Sequence, residues 1–303
     1  MPPRLADYRW HDWFRLRPIA HRLKTRRYRA ADRRFRRQSA RAGDVPSILS
    51  RMRGGRVLVT VAFRDPRTIA WQAALIRHNL SDVIHVIADN TPEDDLAAEI
   101  GRCAATAGAL YVHLPRNPSR APSRSHGMAI NWIWDNIIKP GEPEVFGFLD
   151  DDIYPTAPDD PFRSLSKQSF YGVVRPGVPV PFGGPAQRWF LWAGFCMFNF
   201  RAVRHIDLDF SQDWFVGLDT GGGNWDKLYR DVPRFSVDEQ PTIFVPYREG
   251  LSMADAPIQW CGPWLHAVGL MGRPEHETEK AKAIARLLQG PLSAAGYSAD
   301  LSD

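Results

Sequence analysis

Short apolar runs and segments with helical apolar spacing alternate from Gly54 to the middle of the chain. Residues 56–63, Arg56-Val57-Leu58-Val59-Thr60-Val61-Ala62-Phe63, predict a strand released by Gly54-Gly55 and stopped at Asp65-Pro66. A helix is predicted over 68–78, a second strand over 83–88, a helix over about 93–106 and a third strand over 110–114. A Pro-, Ser- and Arg-rich loop over 115–124 leads into a helix over 125–138, with Met128, Ile130, Ile133, Trp134 and Ile137 facing inward. Residues 145–149, Val145-Phe146-Gly147-Phe148-Leu149, then predict a fourth strand, apolar throughout because helices would cover both of its faces. Strand alternating with helix over about 100 residues implies βαβ units and a largely parallel sheet.

The second half is looser. Residues 170–174 and 195–200 read as strands separated by a Pro/Gly-rich loop over 175–188. The last helix is expected over about 275–289, with Gly290 as its C-cap. Three units follow from this texture: a basic extension over 1–52, a catalytic domain over 53–273, and a C-terminal helix and tail over 274–303.

Composition sharpens this division. The net charge of +5 hides 17 Lys and Arg against four Asp and Glu in residues 1–56, which carry +13 and leave −8 for the remainder. The basic segment also holds Trp10, Trp13, Phe14, Leu16, Ile19 and Leu23. Three readings stay open for it: a solvated, partly disordered arm, a helix resting on an anionic membrane, or a nucleic-acid contact. No zinc pattern, helix-turn-helix signature or RNA-binding aromatic motif marks a dedicated nucleic-acid module. Cys103, Cys196 and Cys261 stand far apart and form no CxxC, as suits a reducing cytosol. No apolar stretch approaches membrane-span length and no signal-peptide core is present, so a cytoplasmic enzyme is expected, with peripheral contact at the inner membrane surface through the basic arm.

The most informative residues are Asp150, Asp151 and Asp152, which end the fourth predicted strand before Ile153-Tyr154-Pro155. Ligands of open α/β sheets sit outside the carboxyl ends of the strands. Adjacent carboxylates there favour a hard divalent cation with oxygen ligands, which often bridges to phosphate. A solvated acidic turn is the plainer reading.

The order of elements, with a strand running to Asp89-Asn90-Thr91, a strand to Asn117, the 125–138 helix and then Phe148-Leu149-Asp150-Asp151-Asp152, resembles the nucleotide-binding half of GT-A fold glycosyltransferases of the family 2-like group. The resemblance spans about residues 56–270, and its DxD element is the specific part. It implies a Rossmann-like, mostly parallel α/β sheet flanked by helices, with a looser acceptor-binding second half. It also implies a nucleotide-sugar donor, UDP-sugar favoured, and a glycan or lipid-linked acceptor such as those of cell-envelope polysaccharide synthesis. By the same resemblance Asp150 and Asp152 hold Mn²⁺ or Mg²⁺, with Asp151 able to take either role and His266 as a late ligand. An imidazole ligand favours Mn²⁺.

On the donor side the resemblance assigns Asp89 to the base or ribose, and Ala62, Phe63 and Arg64 to the pocket after the first strand. Ser125 and His126, with Asn117 ahead of them, open a helix that would run past the donor; capping is the plainer role of Ser125 and His126 and the alternative, less favoured, for Asp89. Trp192 and Gly194 match the segment beside the diphosphate and acceptor. Asp219 is the expected catalytic base with Asp213 in reserve, because an inverting transferase needs one carboxylate at the acceptor hydroxyl. The paired Glu-Asp common in family 2 is absent here, which leaves base and stereochemistry open. Two competing functions remain: a sugar-nucleotide pyrophosphorylase, whose Gly-rich phosphate loop this chain replaces with Ala62-Phe63-Arg64-Asp65-Pro66, and a non-enzymatic polyanion-binding protein.

Overall fold

The computed structural model describes residues 5–179, 188–251, 257–268 and 274–297. Helices α1 (Trp10–Phe14), α2 (Arg17–Arg36) and α3 (Val45–Met52) precede β1 (Arg56–Ala62), α4 (Pro66–Asn79), β2 (Val83–Asp89), α5 (Asp94–Ala107), β3 (Leu110–His113) and α6 (Pro122–Ile133). The chain runs on from α6 through a π-helical turn, Trp134–Ile138, and α7 (Lys139–Gly141) to β4 (Val145–Asp150). After β5 (Ile153–Pro155) come β6 (Phe170–Pro176), β7 (Trp189–Asn199), α8 (Phe200–Val203), β8 (Thr242–Val245), β9 (Ile258–Cys261), β10 (Trp264–His266) and α9 (Pro274–Ala294).

These strands form two sheets. The larger has the order β3-β2-β1-β4-β7-β6, and the smaller has the order β5-β10-β9-β8. β3, β2, β1 and β4 run parallel, while β7 and β6 add antiparallel at one edge. The expected α/β architecture with a mostly parallel central sheet is therefore present. Helices cover both faces of that sheet, so Val57, Leu58, Val59, Phe146, Phe148 and Leu149 are all fully buried. Local signals set the helix ends. Asp65 caps α4 by accepting from the backbone N–H of Arg67 and Thr68, at 3.0 and 3.2 Å, and Pro66 opens the first turn. Gly108, at φ 74°, closes α5 in the left-handed conformation.

Four features differ from the sequence expectations. First, residues 10–36 are helical rather than a disordered arm. The inner face of α2 docks on the body through Tyr28, Asp32 and Phe35, and Phe35 joins Ile48 and Met52 in the main core. Second, β7 begins at Trp189, six residues earlier than expected, because it pairs along β6 to Pro176. Third, α9 continues past Gly290 to Ala294. Its Ile284, Ala285, Leu288 and Leu292 pack on Trp71, Leu75, Tyr154 and Leu265, so burial carries the helix beyond a residue of low propensity. Fourth, the small antiparallel sheet is an unforeseen element, and it positions half of the site. Residues 180–187 of the 175–188 loop lie outside the described residues.

Candidate active site

The acidic triplet is the junction between the two sheets. β4 ends at Asp150 in the large sheet and β5 begins at Ile153 in the small one, so Asp151 and Asp152 form the turn between them. Gln72 of α4 secures that turn from beneath. It is fully buried, and its Nε2 donates to the carbonyls of Asp150 and Ile153, both at 2.7 Å. Its Oε1 accepts from Thr60 Oγ1 at 2.6 Å, which ties the turn to β1. The backbone N–H of Phe63 donates to Asp151 Oδ2 at 2.8 Å, so Asp151 is held against the end of β1. β10 lies antiparallel to β5 with His266 opposite Ile153, and the N–H of Ala267 donates to the Asp152 carbonyl at 2.9 Å. Asp150, Asp152 and His266 thereby present ligand atoms within 4.8 Å of one another.

This grouping suits a divalent cation. His266 Nε2 lies 3.3 Å from Asp152 Oδ1, and His126 Nε2 lies 3.3 Å from Asp150 Oδ1. His266 Nδ1 is 3.0 Å from Gln259 Oε1, which also accepts from Arg175 Nη2 at 2.9 Å. Because Arg175 can only donate, Oε1 must face it, and His266 then carries its proton on Nδ1. That tautomer turns a lone pair of Nε2 towards the Asp152 carboxylate, and a cation or an additional proton between them resolves the clash.

The carboxylates show the same tension. Burial, with the charge of Asp152, pushes Asp150 up to about 7, against the opposing pull of His266. Burial and both neighbouring acids raise Asp151 well above the usual carboxylate range. Burial also works against the charge of Asp152, but adjacent His266 overrides it and leaves Asp152 lowered. Burial brings His126 down to about 4 despite the nearby charges of Asp219 and Asp152, so its imidazole is neutral. Two oxygen ligands and one nitrogen, in a site that protonates to shed charge, are a donor set that Mn²⁺ or Mg²⁺ would satisfy.

Trp192 and Gly194 of β7 form the adjoining wall. The Trp192 ring lies 4.5 Å from that of His266, centroid to centroid, and the Arg175 guanidinium lies 5.6 Å from the same ring. A Cβ at Gly194 would run into the Trp192 indole and the Asp150 carboxylate. Asp219 is exposed, and its charge acts on both His126 and Asp150. Its Oδ1 takes the amide of Gln212 at 2.5 Å and the hydroxyl of Thr220 at 3.4 Å. Asp213 faces elsewhere. It lines a cavity of about 1070 Å³ between α2 and the segment around Trp214, beside Lys24 and Arg124.

The remaining expected donor residues ring the ends of β1 and β2. Ala62 is buried, and its carbonyl accepts from the N–H of Asn90 at 2.9 Å. Asp89 is fully buried, with Oδ1 accepting from Thr91 N–H and Oδ2 from Tyr111 O–H, each at 2.8 Å. Arg64, at φ 61°, donates its backbone N–H to Thr91 Oγ1 at 2.8 Å and pairs its guanidinium with Glu93. Asn117 Nδ2 donates to Asn90 Oδ1 and to the Ser125 carbonyl, and Asn90 Nδ2 donates to Ser125 Oγ at 2.9 Å. These bonds lash the loop after β3 to the start of α6 and so fix His126. Sequence reasoning missed Gln72, Gln259 and Arg175. Each is a lone polar residue with no local pattern, and only the sheet pairing reveals its partner.

No family model and no curated protein matches this chain. Among solved structures, the chain is similar to the mannosyltransferase PcManGT of Pyrobaculum calidifontis, solved in complex with GDP-Man and Mn²⁺, at 14% identity and a TM-score of 0.35, over 57% of this chain and 51% of that one. It is also similar to S. aureus TarS, at 12% identity and a TM-score of 0.38, over 78% of this chain and 43% of TarS. The 1–349 fragment of TarS gives 12% identity and a TM-score of 0.38, over 79% of this chain and 72% of the fragment. The chain thus spans about half the length of the mannosyltransferase and less than half of full TarS.

Proposed function

We propose that this chain is a metal-dependent glycosyltransferase that moves a sugar from a nucleotide-sugar donor, UDP-sugar favoured, to a glycan or lipid-linked acceptor in cell-envelope polysaccharide synthesis. The observation that carries the proposal is the convergence of Asp150, Asp152 and His266 at the junction of the two sheets, outside the carboxyl end of β4. Asp150, Asp152 and His266 would hold Mn²⁺ or Mg²⁺. When bound, the cation offsets the negative charge that gathers on a departing diphosphate.

The chain's own residues do the rest. Asp151 keeps the lip of the site closed on Phe63. Ala62, Phe63, Arg64, Asp89, Asn117, Ser125 and His126 form the donor wall, where β1, β2 and the start of α6 end side by side. Neutral His126, beside Asp150, can offer a ring N–H to a phosphate oxygen. Trp192 gives an indole face for the apolar side of a sugar ring, and Gly194 leaves room for it beside Asp150.

Asp219 is the proposed base. Its Oδ2 accepts no hydrogen bond among the described residues, so it is available to take the proton of an acceptor hydroxyl. Asp213 stays the reserve, although it lines the cavity beneath α2.

A panel of UDP- and GDP-sugars, assayed for transfer or hydrolysis with Mn²⁺, tests this reading. Turnover should require the cation, and Asp219→Asn should lower kcat roughly 10²–10⁴-fold with nucleotide affinity retained. Absence of both turnover and nucleoside-diphosphate binding across the panel would overturn it.

A further inference from the structure

The N-terminal helical hairpin is inside out for a water-facing element. Among the described residues, thirteen large apolar side chains are exposed, and seven of these are Leu5, Trp10, Trp13, Phe14, Leu16, Ile19 and Leu23. Trp10 and Phe14 are 76% and 83% exposed and pack edge to face at 5.9 Å, touching each other rather than the core. The polar groups are instead on the inside. Asp12 is 2% exposed, takes Arg17 Nη1 at 2.7 Å and accepts from the Arg9 N–H at 3.1 Å. Tyr8 and His21 complete this clamp at 3.0 Å, and the His21 ring packs, tilted, 4.8 Å from Phe215 of the body. A folded, clamped hairpin therefore holds an apolar face outward. A patch of this kind marks an interaction surface.

The charge on the same side of α2 names the partner. Ile19, Leu23, Arg26, Arg27, Ala30, Arg33, Arg34 and Arg37 are all exposed, at the three- and four-residue spacing of one helix face. The opposite face, with Pro18, His21, Thr25, Tyr28, Asp32 and Phe35, packs inward. None of Arg26, Arg27, Arg33, Arg34 and Arg37 has an ion-pair partner among the described residues, whereas inward Arg36 bridges Asp32 and Asp135. The hairpin thus combines an apolar tip with an unneutralised arginine stripe about 17 Å long. Arginine alone would suit nucleic acid, but exposed Leu16, Ile19 and Leu23 make no hydrogen bond to phosphates or base edges. They do fit the boundary between headgroups and acyl chains, with arginines on anionic headgroups.

We infer that the α1–α2 hairpin docks the protein on an anionic lipid surface, with Trp10, Phe14, Leu16, Ile19 and Leu23 entering the interface and the α2 arginines lying along the headgroups. This docking is independent of the chemistry at Asp150 and Asp152, and its test does not use activity.

The full chain is floated with phosphatidylcholine vesicles with and without phosphatidylglycerol, beside a W10S/F14S variant and an R26Q/R27Q/R34Q variant. All of these positions are exposed, so matching circular dichroism is expected for the three proteins. The native chain should bind only vesicles containing phosphatidylglycerol, more weakly as salt rises, and each variant should bind at least roughly tenfold less. Absence of binding to anionic vesicles would overturn the inference. So would binding that W10S/F14S leaves intact, or a preference for an oligonucleotide over the vesicles that the same variant does not change.

Discussion

Gly194 shows how tightly single residues set the site. Only hydrogen fits where Asp150 and the Trp192 ring approach Gly194, and this is a requirement that the sequence could express only as a glycine two residues after a tryptophan. Gly194→Ala should displace the Asp150 carboxylate and lower Mn²⁺ affinity by roughly tenfold, because the added Cβ would press on the Asp150 oxygen and the Trp192 ring. Calorimetric titration with Mn²⁺ checks this, and unchanged affinity would show that Gly194 plays no part in seating Asp150. His85 offers a second test at this scale. Burial pushes its imidazole down to about 3, with Nε2 2.9 Å from Thr60 Oγ1 and Nδ1 unpartnered among the described residues. An unfolded chain protonates that ring near about 6.5, so the unfolded state gains the proton first as pH falls. Stability contributed by neutral His85 is therefore complete above about 6.5 and declines towards 3, by up to about 1.4 kcal/mol per pH unit. His85→Leu should flatten the loss of Tm on acidification. An identical pH profile in the variant would contradict the assignment. At this scale Asp150, Asp151 and Asp152 stood out in the sequence because carboxylates at a strand end are a local pattern, whereas His266 was named only through the family resemblance. Gln72, Gln259 and Arg175 were not, since their meaning lies in partners 78, 7 and 84 residues away.

Between elements, the parallel core was readable because each of β1, β2 and β4 is a buried apolar run with a helix between. The small sheet was not. β5 and β10 have three residues each, too few to show alternation, and Trp264-Leu265-His266 reads as an undistinguished apolar stretch. Yet their pairing is what brings His266 to Asp152 across more than a hundred residues. The inner face of α2 was hidden for a different reason: Tyr28, Asp32 and Phe35 are scattered among arginines, whose abundance suggested a solvated arm. Gln72 is the brace between α4 and the sheet junction, making two donor bonds and one acceptor bond in a dry environment. Gln72→Ala leaves the carbonyls of Asp150 and Ile153 without that donor and should cost about 1–3 kcal/mol. Urea denaturation measures the loss. Mn²⁺ affinity should fall with it, and a variant of native stability would show that the turn holds itself.

Across the whole molecule, charge and burial divide the work. The −8 body carries the Asp150, Asp152 and His266 cluster, while the +13 N-terminal segment carries the outward arginine stripe of α2. Among the described residues no helix is long and apolar enough to cross a membrane. The chain passes directly from one sheet to the other at the 150–153 turn, where the proposed cation would bind. Electron paramagnetic resonance of Mn²⁺ titrated into the full chain, with and without UDP, addresses this claim most directly. The native protein should take up about one Mn²⁺, more tightly when UDP is present, and Asp152→Asn should reduce that uptake by at least roughly tenfold at unchanged Tm. Equal Mn²⁺ uptake by native protein and Asp152→Asn, or none by either, would contradict it.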